Sequence, residues 1–109
     1  MTTQRGRAKI KDRTALEIVV KNEMQRRNLT YASLAALLTN EGHAITGAAL
    51  YMRTTRPEPT TGTIDLIAGG LGMESGVLFE RMREEVKQAR SDSRPLLGDG
   101  KVKGSWALA

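Results

Sequence analysis

Residues able to catalyse a reaction or hold a metal are few and scattered along this chain of 109 residues. His43 is the only histidine and there is no cysteine, so a metal site would lack a second histidine or a thiolate. Glu84 and Glu85 are adjacent and project in different directions from a helix, which disfavours paired-carboxylate catalysis. Residues 70–75 lack the third glycine of a dinucleotide-binding loop and follow a predicted helix, not a strand. We therefore expect no enzyme activity and no cofactor.

Side chains that can bind DNA are concentrated around residues 45–56. Thr46 can cap a short helix ending near residue 54, with Leu50 as its inward anchor. One α-helix fits the DNA major groove, where Tyr51 can contact a thymine methyl. Arg53 can either read guanine or hold a phosphate, and the sequence leaves both open. The candidate contacts of this helix are Thr46, Gly47, Ala48, Tyr51, Arg53 and Thr55.

The first 13 residues form a basic arm. It holds five cations against Asp12, a net +4 of the chain's +5, and has no helical periodicity. We predict a flexible segment that follows the phosphate backbone or enters the minor groove when DNA is present. The cations of the arm are Arg5, Arg7, Lys9, Lys11 and Arg13.

Four further helices are predicted around the 46–54 segment, which makes the chain all-α. Thr14 begins a capping-box pattern for the first helix, which stops near Asn28, and Thr30 caps the second. The fourth helix is short, over 64–71, and the fifth runs over 75–90 with a serine cap. The solvent-facing side of the first helix is expected to carry Lys21, Glu23, Arg26 and Arg27.

Two motifs lie at the ends of this helical region. Residues 29–38 read Leu-Thr-Tyr, two residues, then Leu-Ala-Ala-Leu-Leu, and residues 71–79 hold Leu-Gly-Met followed by Leu-Phe. Together they resemble the lambda-repressor and Cro (XRE-type) helix-turn-helix domain over residues 14 to 82. The resemblance implies a five-helix bundle in which the third helix recognises DNA. Together with the fifth helix, which is predicted to run to residue 90, it indicates a domain over 14–90, preceded by the arm and followed by a tail.

The chain departs from that family in two places. The turn over 39–44 is longer than usual, which resembles a short helix-turn-helix family of unknown function that shares the entry at 26–31. Tyr31 stands where the family has a phosphate-binding glutamine, so we carry this role over to its phenol. The family's loop after the third helix implies phosphate contacts for Arg56, Thr60 and Thr61.

The C-terminal part of the sequence suggests partners. Met82 and Val86 extend the apolar face of the fifth helix beyond the usual end of the domain, so we expect an exposed stripe that forms a homodimer. The alternative is that the tail folds back and covers this stripe. Residues 91–109 are otherwise expected to be mobile, and Trp106 can dock on a protein partner.

These patterns favour a sequence-specific double-stranded DNA-binding transcriptional regulator. We expect a repressor of the phage or mobile-element type that acts as a dimer on an operator. The alternative is a protein-binding adaptor or antitoxin-like module with the same fold, since the predicted recognition helix holds few basic residues. No signal peptide or membrane span is recognised, which predicts a cytoplasmic protein.

Overall fold

Five α-helices follow one another over residues 12–100, 102 and 103, the part of the chain that this computed structural model describes. The all-α prediction is confirmed. A 3₁₀ turn, Leu97–Gly100, comes after the last helix. The helices are α1 Ala15–Arg26, α2 Tyr31–Asn40, α3 Gly47–Thr54, α4 Thr61–Leu71 and α5 Ser75–Ser91.

Threonine side chains fix the starts of the first four helices. Each lies in extended backbone and accepts a hydrogen bond from the amide three residues later, which satisfies a helix N–H that otherwise has no partner. The start of α5 is different, because Glu74 is its N-cap without a side-chain cap bond and Ser75 is the first helical residue. The serine cap predicted there is wrong. The capping threonines are Thr14, Thr30, Thr46 and Thr60.

One hydrophobic core joins all five helices. α1 packs along α5, while α2 packs against both α3 and α4. Leu50 is fully buried and anchors α3 as predicted. The largest buried hydrophobic side chains of this core are Leu16, Leu34, Leu38, Leu50, Ile64, Ile67, Leu78 and Met82.

The connection between α2 and α3 explains the longer turn seen in the sequence. Helix α2 continues to Asn40, and the remaining residues form a turn before α3. The Thr39 hydroxyl donates to the Ile45 carbonyl at 3.3 Å and accepts from its amide at 3.4 Å. The His43 amide donates to the Leu38 carbonyl at 2.8 Å. These bonds hold the long turn against α2 and so fix the start of α3.

Glu23 lies in the interior, although its place in α1 predicted a solvent-facing side chain. It is 2% exposed, and its carboxylate accepts hydrogen bonds from Arg27 and from Arg81 of α5. Arg26 lies 3.6 Å away. Buried carboxylates need such partners, and Arg81 is distant in sequence. The cluster therefore joins α1 to α5.

The C-terminal segment returns to the bundle instead of leaving it. The Arg94 amide donates to the Ala89 carbonyl at 2.7 Å, and the Lys103 amide donates to the Pro59 carbonyl at 2.9 Å. Leu96 and Val102 pack against the core. Residues 92–100, 102 and 103 thus form a strap from the end of α5 to the loop before α4, and the expectation of a mobile tail does not hold for them.

Burial of Met82 and Val86 corrects the predicted dimer contact. They are 0% and 2% exposed, so neither side chain is available to a second copy. Met82 belongs to the shared core, and Val86 lines a small cavity with Pro95 and Leu96 of the strap. The fold-back alternative therefore describes Val86, whereas Met82 is covered by the helical core. None of the described helices is long and apolar enough to span a bilayer.

Candidate nucleic-acid interface

Helix α3 presents one buried side and one exposed side. Leu50 and Thr54, one turn apart, are both fully buried. Helical periodicity puts Ala48 and Met52 on the opposite side, and both are exposed, Met52 to 59%. Tyr51 on the flank is 43% exposed. The outward side of α3 is therefore a surface of small and apolar side chains.

A hydrogen-bond network fixes the end of α3. The Thr14 hydroxyl donates to the Thr54 carbonyl at 2.6 Å, which ties α3 to the start of α1. The Thr54 hydroxyl donates to the Tyr51 carbonyl at 2.7 Å. Because that bond uses its only proton, the Tyr31 phenol, 3.3 Å away, must be the donor to Thr54. The network thus orients α3 from both α1 and α2.

The structure gives Tyr31 a packing role in place of the predicted phosphate contact. Its ring lies 5.4 Å from that of Tyr51 in an edge-to-face arrangement at 78°. Burial raises the pKa of the Tyr31 phenol above its ordinary value, because a phenolate would lose its hydration there. Its hydroxyl donates inward to Thr54, so it supports Tyr51 from behind.

Gly47 is also explained by packing. A Cβ on this glycine would lie 3.1 Å from both the Cα and the backbone nitrogen of Ala32 in α2. The glycine therefore lets α3 approach α2, whereas the sequence made it a candidate contact with DNA. Ala48, its neighbour, is exposed and remains a candidate contact.

Cations near α3 have no carboxylate partners among the described residues. Arg53, Arg56 and Lys103 are exposed, and no ion pair joins any of them to residues 12–98 or 102. Arg53 lines a groove of about 600 Å³ with Thr60 and Asp65. The positive charges of Arg53, Arg56 and Lys103 are therefore available to an external anion.

The opposite side of the bundle has a different electrostatic character. A groove of about 760 Å³ between α1 and α5 is rimmed by exposed carboxylates, and the arginines in its wall, Arg26 and Arg81, pair with Glu23. A phosphate would meet repulsion at this rim and little free positive charge. The exposed carboxylates of the rim are Glu74, Glu80 and Glu84.

The threonines predicted to touch DNA differ in what their hydroxyls can still do. The Thr55 hydroxyl donates to the Met52 carbonyl at 2.9 Å, and the Thr60 hydroxyl donates to Thr63 Oγ1 at 3.1 Å. Both protons are therefore already used. The Thr46 hydroxyl accepts from the Ala49 amide and, within the described residues, has no acceptor for its proton. Thr46 therefore keeps a donor for a phosphate, and so does Thr61, whose hydroxyl makes no hydrogen bond among the described residues.

The basic arm joins the bundle next to α3. The Arg13 carbonyl accepts from the Leu97 amide at 2.9 Å, which holds the base of the arm against the strap. Its guanidinium lies 3.9 Å from Glu17 and lines a groove of about 430 Å³ with Tyr51. The predicted contacts Arg5, Arg7, Lys9 and Lys11, and Trp106 of the tail, lie outside the described residues.

Residues 46–56 therefore combine an exposed helix side with two arginines that have no ion-pair partner within the described part of the chain, and we call this region the α3 surface. Among the described residues, no three His, Asp or Glu side chains are grouped so as to hold a metal. No protein-family model matches the chain, and neither a curated protein nor a solved structure matches it.

Proposed function

We propose that this chain is a sequence-specific double-stranded DNA-binding protein with a lambda-repressor-like helix-turn-helix arrangement. The observation that carries the proposal is the α3 surface, where an exposed helix side lies beside Arg53 and Arg56, which have no carboxylate partner among the side chains described. A single helix fits the major groove, and unpaired cations beside it can neutralise the phosphates on either side.

In the proposed complex, α3 lies in the major groove and its neighbours fix its position. Arg53, Arg56 and the Thr46 hydroxyl contact phosphates, while Ala48, Met52 and neighbouring side chains face base edges. The groove between α1 and α5 faces away from DNA, as its carboxylates require. Transcription is regulated by occupancy of an operator, with repression as the expected direction, and the protein acts in the cytoplasm.

The arm adds affinity without sequence information. Deleting residues 1–11 removes four cations but leaves the Arg13 carbonyl bonded to Leu97. We expect the slope of log affinity against log salt to become shallower by up to about 3.6, from about 0.9 per phosphate neutralised. Titrations at several salt concentrations measure it. A slope equal to that of the full chain would remove the arm from the mechanism.

Selection of binding sites from a random duplex library tests the proposal. The full chain should enrich a short motif, and Ala48→Glu should abolish enrichment by placing a carboxylate at the base edges. Gln88→Glu, which adds the same charge on α5, is the matched control and should enrich the motif unchanged. Failure of the folded chain to enrich any sequence would contradict the proposal.

The selected motif also indicates how many protein copies bind one DNA site. A homodimer remains part of the proposal, but its contact does not use Met82 or Val86. Paired half-sites one helical turn apart would support a dimer, because a two-fold protein matches a palindromic site. A single half-site, with one protein copy bound in sedimentation, would show that the chain acts as a monomer.

A protein-binding module is the second candidate function. The observation that favours it is the exposure of hydrophobic side chains on adjacent helices, with Leu37 at 41%, Tyr51 at 43% and Met52 at 59%. A protein partner would be lost in Ala48→Glu but kept when Arg53 and Arg56 are neutralised. DNA binding requires both features, so the two variants distinguish the candidates.

A further inference from the structure

From the side chains on the outward side of α3, we infer which chemical group this helix recognises. We propose that α3 reads the 5-methyl groups of thymine, so that the centre of the DNA site that it recognises consists of A·T pairs instead of G·C pairs. The inference rests on the proposed function and specifies its DNA sequence class.

The buried residues of α3 define how the helix is oriented. Leu50 and Thr54 are fully buried, so their direction defines the inward side. At 3.6 residues per turn, Ala48 and Met52 point most directly away from the bundle, with Ala49 on one flank and Tyr51 on the other. These four side chains are all exposed, and the central ones end in methyl groups.

Arg53 is the only cation of α3, and it does not lie on the outward side of the helix. Arg53 lies about 60° from Leu50 around the helix, by the same periodicity, and thus on the side towards α4. It lines a groove with Thr60 and Asp65 of the next loop and helix. Arg53 is therefore placed at the edge of the major groove, where a phosphate lies, and not at its floor.

The outward side chains of α3 can be compared with the base edges that the major groove exposes. In the major groove, guanine is read by Arg or Lys, adenine by Asn or Gln, and cytosine by Asp or Glu, whereas the thymine methyl is read by apolar contact. Helix α3 reads Gly-Ala-Ala-Leu-Tyr-Met-Arg-Thr and has no carboxamide or carboxylate. The thymine methyl is the one base-edge group that its central side chains complement.

Helix α3 is held rigidly by its neighbours, and a contact with a methyl group requires such a close fit. The Tyr31 ring packs edge-to-face on Tyr51, and Thr14 and Thr54 hold the end of α3. Gly47 brings α3 against Ala32 at the other end. Both ends of the helix are fixed, so its backbone presents Tyr51 and Met52 to the groove in one orientation.

Deoxyuridine replacement tests the inference, since this base lacks only the methyl group. In the motif selected with the full chain, each thymine is replaced in turn and binding is measured at one salt concentration. At each contacted position we expect about fourfold weaker binding, the effect of burying one methylene-sized group. Methyl groups outside the contact should have no effect.

Met52→Ala makes the test specific to α3. This variant should bind the thymine duplex more weakly, and at the position that Met52 contacts it should no longer distinguish thymine from deoxyuridine. Val77→Ala is the matched control, because Val77 is 43% exposed on α5 and lines the groove between α1 and α5. It should keep the full difference. Thermal unfolding confirms that both variants are folded.

The outcomes separate the inference from the proposed function. If the chain enriches a motif whose affinity is unchanged by every deoxyuridine replacement, the inference is overturned and DNA binding stands. The same holds if Met52→Ala keeps all methyl effects. If no duplex is enriched, the proposed function fails and the inference fails with it.

Discussion

Neutralising the two arginines of the α3 surface should weaken DNA binding and reduce its salt dependence. Arg53→Gln with Arg56→Gln removes two positive charges and keeps side chains of similar polarity. Both arginines are exposed and have no ion-pair partner among the described residues. The double variant should therefore unfold within about 0.5 kcal/mol of the original chain, as surface changes usually do.

The expected size of the effect follows from the number of phosphates contacted. One phosphate per arginine, at about 0.9 each, lowers the slope of log affinity against log salt by about 1.8. Over a fourfold increase in salt, the affinity ratio between the original chain and the variant should then shrink by about twelvefold. Fluorescence anisotropy on a selected duplex at several salt concentrations measures both quantities.

A matched variant on the far side of the bundle isolates the local effect. Lys87→Gln with Arg90→Gln removes the same charge from α5, and both side chains are exposed without an ion-pair partner in the described chain. Its slope should equal that of the original chain. Equal slopes for both double variants would refute the argument, since net charge alone would then account for binding.

Three further predictions concern the scaffold. Glu23→Gln should destabilise the fold by about 1.5–3 kcal/mol in urea unfolding, because its charge-assisted hydrogen bonds to Arg27 and Arg81 are weakened; an unchanged midpoint would contradict this. Gly98→Ala should release the strap, because φ there is +81° and a Cβ would overlap the Pro57 carbonyl; faster hydrogen exchange of the Lys103 amide reports it, and unchanged exchange would show that the strap tolerates the methyl. Burial favours the neutral phenol of Tyr31 in the folded state and so raises its pKa. The contribution of this group to the free energy of unfolding is therefore full below the ordinary tyrosine pKa of about 10, and it is lost as pH rises through the higher folded pKa. Tyr31→Phe should lack this part of the alkaline decline in stability.

Local signals in the sequence predicted most of the helix starts. Thr14, Thr30 and Thr46 cap their helices where the pattern places them, since capping depends only on residues within one turn. Thr60 shows the limit of a family-based interpretation. The resemblance assigned it to phosphate, whereas its hydroxyl caps α4 and bonds to Thr63.

Features that depend on distant parts of the chain could not be predicted. Glu23 resembles any surface glutamate in a helical pattern, and only the partner from α5 explains its burial. Met82 and Val86 appeared exposed because nothing in the sequence shows that the core extends to Met82 or that the strap returns over Val86. Gly47 illustrates the same limit at the site, because its contact with α2 exists only once the two helices are packed.

The central claim is that the α3 surface meets DNA, and mapping of backbone amide shifts on addition of a selected duplex tests it most directly. We predict that the shifts concentrate at residues 46–56 and near Thr60, and that amides of α5 around residues 80–88 stay unchanged. Shifts confined to the groove between α1 and α5, with residues 46–56 unaffected, would contradict the account.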